Sequence, residues 1–134
     1  MDGLVVWEIQ DRKILRVDYG QNTEDPAQLL RAVIAEHYKT EEETCYSLID
    51  FAYKDFPRSF VDEYKVLAAE ISGKKVIISA YLGLLPELYS AAAEVLAEVK
   101  CKEKEAWIAF FESEAAAIEW LLSFNGSTAG GSCE

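Results

Sequence analysis

The 134-residue chain is poor in the residues that build metal sites, disulfide frameworks and basic surfaces. It has one histidine, three cysteines without a short metal-ligand spacing, and 13 Lys and Arg residues against 24 Asp and Glu. An odd number of widely spaced cysteines argues against a disulfide framework and against a zinc site. The net charge of −11 would repel phosphate groups, so it argues against binding to nucleic acids and to anionic membrane surfaces.

Long apolar runs and targeting segments are also missing. No apolar stretch approaches the roughly 20 residues that a helix needs to span a bilayer. The beginning, MDGLVVWEIQ, has no basic stretch before an apolar one, which excludes a signal peptide there. We therefore expect a cytoplasmic protein that does not span a membrane. About half of the residues are hydrophobic, which is enough for one packed domain and argues against global disorder.

The common catalytic motifs are absent as well. The segment ISGKKV contains Gly-Lys but lacks the earlier glycine and the following Ser or Thr of a phosphate-binding loop. Neither the glycine motif of dinucleotide-binding folds nor a nucleophile-elbow serine motif occurs. His37 has no second histidine or cysteine near it in sequence, and Cys101 has no nearby resolving cysteine. The sequence therefore predicts no catalytic residue, no metal and no cofactor.

What is present is a regular alternation of strand and helix patterns. Apolar and β-branched runs predict five strands, at residues 4–10, 13–19, 45–51, 75–81 and 106–111. The polar pair Asp11-Arg12 separates the first two and predicts a hairpin turn. Apolar residues at helical spacing follow each of the last four strands. Asp25 and Pro26 mark the beginning of the first helix, and Ser113 is the expected cap of the last one.

The element order ββαβαβαβα predicts the fold class. Three strand-helix-strand crossovers in succession require an α/β fold with a mixed, mostly parallel five-stranded sheet and helices packed around it. Residues 1–124 are expected to form a single domain. The ending NGSTAGGSCE, residues 125–134, has no large apolar side chain, so it is expected to be a disordered tail.

Four stretches of the chain carry a family resemblance, with Glu119-Trp120-Leu121 as the sharpest local match: ILRVDYGQNTEDPAQLL, SLIDFAYKDFPRSFVDEYKVLAAEI, KKVIISAYLGLLPELYSAAAEVL and AWIAFFESEAAAIEWLL. In element order and hydrophobic pattern, residues 4–122 resemble the STAS superfamily, and specifically its stand-alone SpoIIAA-like group. The resemblance implies a compact domain with a mixed sheet. It also implies a non-enzymatic role in regulation or interaction, through a protein partner or an apolar, lipid-like ligand.

The resemblance raises the question of whether Ser59 is a phosphorylated switch. In anti-sigma-factor antagonists of this superfamily, a strand that contains an aspartate leads to Asp-Ser-Ser-Gly at the start of a helix, and the second serine is phosphorylated. Counting from Asp50 aligns that motif with Arg58-Ser59-Phe60-Val61. The phosphorylated position thus holds Phe60, and only the first serine remains. We favour Ser59 as a helix cap and keep the phospho-switch as the alternative.

The carboxyl ends of the strands are the expected place for a site, because open α/β sheets bind ligands there. The apolar and aromatic residues of this rim are Tyr53, Phe56, Tyr81, Leu82 and Leu84. The regulatory or binding candidates are Asp50, Tyr53, Ser59, Tyr81 and Gly83. A pocket for an apolar ligand and a hydrophobic surface for a protein partner, a homodimer included, both stay open. The competing hypothesis is a small enzyme that uses carboxylates such as Asp50 and Glu112 at the same rim.

Overall fold

The structure is a computed structural model that describes residues 4–20, 26–39, 43–56, 58–72, 76–100 and 106–123. Its strands are β1 (Leu4–Ile9), β2 (Arg12–Asp18), β3 (Thr44–Asp50), β4 (Val76–Leu82) and β5 (Ala106–Phe111). Its helices are α1 (Pro26–Lys39), α2 (Arg58–Ser72), α3 (Tyr89–Lys100) and α4 (Glu114–Ser123), with a short 3-10 turn at Pro86–Leu88. The predicted α/β architecture with a mixed five-stranded sheet is confirmed.

The strands lie in the sheet in chain order, β1-β2-β3-β4-β5. The β1–β2 pair is antiparallel, and the three pairs that follow are parallel. When the sheet always grows in one direction, right-handed crossovers place every connecting helix on the same face. Helix α2 accordingly packs against both α1 and α3, whereas α4 packs against β3, β4 and β5. The sheet is thus covered by three helices on one face and by α4 on the other.

Each face of the sheet has its own apolar core. The core under α1, α2 and α3 contains Leu15, Val17, Tyr19, Leu29, Leu30, Val33, Ile49, Phe51, Phe56, Phe60, Tyr81, Leu84 and Ala92. The core under α4 contains Ile14, Tyr46, Leu48, Ile78, Ala80, Leu82, Ala117 and Leu121. Adjacent residues of β4 such as Ile77 and Ile78 are both buried. From Val76 onward, this confirms the prediction that the run KVIISAY is a strand covered on both faces.

The hairpin turn lies one residue earlier than the sequence predicted. Gln10 and Asp11 form it with φ of 51° and 66°, and Ile9 pairs with Arg12. Two consecutive positive φ angles are typical of the two-residue turn that matches the twist of paired strands. Strand pairing therefore imposes a left-handed conformation on two non-glycine residues, and Arg12 becomes the first residue of β2.

Two arginines of β2 hold α4 against the sheet. Arg12 donates a hydrogen bond of 2.7 Å to the carbonyl of Leu121, near the end of the helix, and lies 4.3 Å from the ring centroid of Tyr46. Arg16 lies 2.9 Å from Glu114, the first residue of the helix. Arg16 pairs with the opposite charge of Glu114. Arg12 meets the partial negative charge of the carbonyl groups that are left exposed where a helix ends.

The helix beginnings agree with the sequence where they are described. Ser113 accepts a 3.0 Å hydrogen bond from the Ala116 N–H, so it caps α4 as predicted. Pro26 is the first residue of α1. The predicted cap Asp25, the tail 125–134 and Cys101 lie outside the described residues, as does the side chain of His37. No described helix has the length and apolar character needed to cross a membrane.

Shortening two neighbouring side chains of β4 tests whether the strand is buried on both faces. Ile77→Ala and Ile78→Ala should each lower the free energy of unfolding by about 2–5 kcal/mol, because each leaves a cavity on its own face of the sheet. Val5→Ala on the edge strand β1, where the side chain is 52% exposed, should change it by less than about 0.5 kcal/mol. Urea denaturation of the three variants measures these values. A near-neutral result for Ile77 or Ile78 would contradict burial on both faces.

Candidate functional site

Aromatic side chains gather at the carboxyl ends of the central strands, on the face covered by α1, α2 and α3. The Tyr19 ring stacks on Phe51 with centroids 5.5 Å apart and meets the edge of Phe56 at 5.2 Å. Phe56 stacks on Phe60 at 4.8 Å, and Phe51 meets Tyr81 at 5.0 Å. These separations are in the range where aromatic pairs attract each other. The rings form one packed wall between the sheet and α2.

A pocket of about 40 Å³ lies against this wall, between α2 and the beginning of α3. Its lining consists of Phe51, Phe56, Phe60, Val61, Tyr64, Tyr81, Leu84, Leu88, Ala91 and Ala92. None of these ten residues is charged. A cavity that binds benzene has a volume of about 150 Å³. Without rearrangement, the pocket therefore has room for a few carbon atoms, which is less than an aromatic ring.

Two tyrosine hydroxyls are the only polar side-chain groups among the ten described lining residues. The oxygens of Tyr64 and Tyr81 are 2.7 Å apart, so one hydroxyl donates to the other. Burial raises the pKa of Tyr64 to about 12. Burial also raises the pKa of Tyr81 well above its ordinary value, and the proximity of Tyr64 raises it further. One hydroxyl donates to the other and the pair keeps one further O–H, so the pocket presents mainly carbon and disfavours negative charge.

The loop after β3 has an unusual backbone. Ala52 and Tyr53 both have a φ of 55°, and the N–H of Lys54 donates a 3.1 Å hydrogen bond to the carbonyl of Phe51. A non-glycine residue in this left-handed region costs about 1–2 kcal/mol. Neighbouring loops stabilise the turn: the Tyr53 N–H donates to the Gly83 carbonyl at 2.7 Å, and the Lys54 ammonium donates to the Tyr19 carbonyl at 2.8 Å. The turn thus joins the loops that follow β2, β3 and β4.

Asp50 and Gly83 meet at this rim. Gly83 has a φ of 62°, and a Cβ atom there would lie 2.8 Å from Oδ1 of Asp50 and 3.0 Å from the Ala52 nitrogen. The same Oδ1 accepts a 2.8 Å hydrogen bond from the Ala52 N–H. The other carboxylate oxygen of Asp50 lies 3.5 Å from Arg16. Asp50 therefore organises the loop from the α4 side of the sheet and is absent from the pocket lining.

The structure separates the residues that the sequence grouped at one rim. Of the candidates whose side chains the structure describes, Tyr81 alone lines the pocket, and the side chain of Tyr53 is 63% exposed. Ser59 is the second residue of α2, and its side chain lies outside the described residues. Leu82 belongs to the core under α4, because neighbouring residues of a strand point to opposite faces. The expected continuous apolar rim is thus divided between the two faces.

The two carboxylates of the enzyme hypothesis lie on non-adjacent strands. Asp50 ends β3 and Glu112 follows β5, with β4 between them. The strand spacing separates their backbones by roughly 10 Å. Glu112 is exposed, whereas Asp50 is engaged by Arg16 and by the Ala52 N–H. Neither belongs to the pocket lining.

Several pocket residues were not among the candidates from the sequence. They are the lining residues of α2, α3 and the turn before α3 other than Phe60: Val61, Tyr64, Leu88, Ala91 and Ala92. Helical periodicity shows which side chains face the sheet. It cannot distinguish a side chain that fills the core from one that borders a pocket.

The chain matches no protein-family model, curated protein or solved structure in the comparisons made. The STAS-like assignment therefore stays a prediction that rests on the sequence stretches given above. Within the described residues, no three His, Cys, Asp or Glu side chains are grouped so that they could hold a metal ion.

The buried tyrosines predict instability at alkaline pH. Their pKa values in the folded chain are raised above the ordinary value of about 10, so their contribution to stability is complete below that pH. It should be lost as the pH rises through 10 toward the Tyr64 value of about 12. Denaturation followed by circular dichroism should show this loss, and Tyr81→Phe should reduce its steepness. A stability that is constant between pH 9 and 12 would contradict the burial of both phenols.

Proposed function

We propose that this chain is a non-enzymatic binding module of the STAS/SpoIIAA-like type that holds the apolar part of a small ligand in the pocket between α2 and α3. The observation that carries the proposal is a pocket at the carboxyl ends of the parallel strands whose described lining residues are all uncharged. Ligand sites in proteins are mostly apolar concavities, and in open α/β sheets they occur at this end of the strands. Regulation would follow from whether the pocket is occupied.

The size of the pocket limits the affinity. Burial of a CH₂ group contributes about 0.8 kcal/mol, so three or four carbons contribute about 2–3 kcal/mol. A ligand that uses the pocket alone should bind with a dissociation constant on the order of millimolar or weaker. Tighter binding requires additional contacts outside the pocket, or a movement of α2 and α3 that enlarges it.

The enzyme hypothesis has no comparable support. An acid and a base that act on one substrate must both reach its reacting atoms. Asp50 accepts a hydrogen bond within its own loop, Glu112 is on the surface beyond β5, and the pocket lining contains neither. We therefore assign Asp50 a structural role at the rim and do not propose a reaction.

A variant that fills the pocket tests the proposal. Ala92 is a buried lining residue, and Ala92→Leu adds three carbons in a space of about 40 Å³. We expect wild type to bind 1-hexanol, with amide chemical shifts changing in the first two turns of α2 and at the beginning of α3. Ala92→Leu should weaken this binding by about tenfold or more, because the ligand and the new side chain require the same volume.

Ala93→Leu is the matched control, because Ala93 is on the same helix but exposed. It should bind 1-hexanol as wild type does. Dispersed amide spectra verify that both variants are folded. Equal binding by wild type and Ala92→Leu, or none by wild type, would refute the proposed site. Mass spectrometry of small molecules and proteins that copurify with the chain distinguishes a small ligand from a protein partner that inserts an apolar side chain.

A further inference from the structure

Four charged side chains form a network on the outer surfaces of α2 and α3. Arg58 makes two hydrogen bonds to Glu94, of 2.7 and 3.2 Å, and lies 3.1 Å from Asp62. Lys65 lies 3.3 Å from the same Glu94 oxygen that accepts from Arg58. Arg58, Asp62 and Lys65 belong to α2, whereas Glu94 belongs to α3. We refer to these four residues as the mouth network.

Helical spacing places the mouth network next to residues that line the pocket. Val61 lines the pocket, and Arg58 and Lys65 lie one turn before and one turn after it on the same side of α2. Glu94 lies one turn after the lining residue Ala91 on α3. The half-buried lining residues, which mark the opening, are Tyr64, Leu88 and Ala91. The ion pairs therefore bridge the two helices beside the pocket, and we infer that a ligand enters past them.

The mouth network is balanced in charge. Hydrogen bonds from Arg58, and then from Lys65, lower the pKa of Glu94 to about 2. The hydrogen bond to Glu94 is also the main reason that the pKa of Arg58 is raised. Two cations thus face two carboxylates at neutral pH. Each of the four side chains of the mouth network therefore has a partner of opposite charge.

A charged ligand would have to compete with these internal pairs. A carboxylate that binds Arg58 must displace Glu94 from two hydrogen bonds, and an ammonium group that binds Glu94 must displace Arg58 and Lys65. Deeper in the pocket, the wall is carbon apart from the Tyr64 and Tyr81 hydroxyls, which already bond to each other. An ammonium group gains no new partner in either place, a carboxylate gains at most the one remaining tyrosine O–H, and both lose hydration. The chain's charge of −11 adds a further barrier for anions.

We propose that the pocket selects uncharged molecules with a short alkyl end, and that Glu94 sets this selectivity by neutralising Arg58 and Lys65. The inference rests on the proposed function of the pocket and names its class of ligand. Neutral alcohols, ketones and esters belong to this class, whereas alkyl carboxylates and alkylammonium ions do not. Glu94 acts as a specificity-determining residue because it pairs with Arg58 and Lys65, which are then not available to an anionic ligand.

Three six-carbon probes test the selectivity: 1-hexanol, hexanoate and hexylammonium, each titrated at pH 7 and followed by amide chemical shifts. The alkyl chain is the same in all three, so the differences between them report the charge of the head group. 1-Hexanol should bind at least about fivefold more tightly than either ion, which is the cost of placing a charge beside groups that offer it at most one partner.

Glu94→Gln tests the role assigned to Glu94. It leaves Arg58 and Lys65 without their shared carboxylate, so the affinity for hexanoate relative to 1-hexanol should rise by about two- to fivefold. The rise should diminish in high salt, because the exposed cations are then screened. Glu63→Gln is the matched control. It removes the same charge and breaks an ion pair with Arg31 between α1 and α2, away from the mouth network.

The possible results separate the two proposals. If none of the probes binds wild type, the proposed function fails and the inference fails with it. If hexanoate or hexylammonium binds wild type as tightly as 1-hexanol, the pocket is a site but the selectivity is wrong. If Glu63→Gln changes the ratio as much as Glu94→Gln, net charge and not the mouth network determines selectivity. A change in Glu94→Gln alone supports the inference.

Discussion

The packing of aromatic rings between the carboxyl end of β3 and the first turns of α2 is the interaction on which the rim of this protein depends. Phe51 directly follows β3, Phe56 lies two residues before α2, and Phe60 lies in the first turn of α2. All three are buried, and Phe56 contacts both of the others. The stacked and edge-on contacts fix where α2 begins relative to the sheet. They also stabilise a turn at Ala52 and Tyr53 that would be unfavourable in an isolated chain.

The same packing creates the pocket. Large rings fill the space next to the sheet, whereas Ala91 and Ala92 of α3 are too small to fill the space opposite them. The two helices are connected on the outside by ion pairs, and on the inside the hydroxyls of Tyr64 and Tyr81 bond to each other. A carbon-lined space therefore lies beneath a surface on which positive and negative side chains are paired. The proposed preference for uncharged ligands follows from this combination.

Much of the architecture could be predicted from the sequence, because its determinants are local. The run KVIISAY indicates a strand covered on both faces, and Ser113 before an apolar helix indicates a cap; both are confirmed. The hairpin turn was misplaced by one residue, because the pairing of Ile9 with Arg12 depends on the register of two strands. Asp is among the residues that adopt the left-handed conformation most readily, but Gln10 gives no local indication of such a turn.

The site was less predictable, because it depends on contacts between distant residues. Arg58 and Glu94 are 36 positions apart, and nothing in either segment indicates that they meet. Tyr81 and Leu82 are neighbours of equal apolar character, yet Tyr81 lines the pocket and Leu82 packs under α4. The Asp-Ser-Ser-Gly comparison had placed Phe60 where antagonists have their phosphorylated serine. In the structure Phe60 is buried in the pocket wall, so that position serves packing here.

The presence of a dry, carbon-lined pocket is the central claim, and xenon tests it most directly. Xenon enters apolar cavities and gains little from polar ones. A crystal structure determined under xenon pressure should show a xenon atom in contact with Phe60, Tyr81 and Ala92, and the unpressurised crystal should show no ordered water there. A hydrogen-bonded water in the pocket, or the absence of xenon from it, would contradict the account.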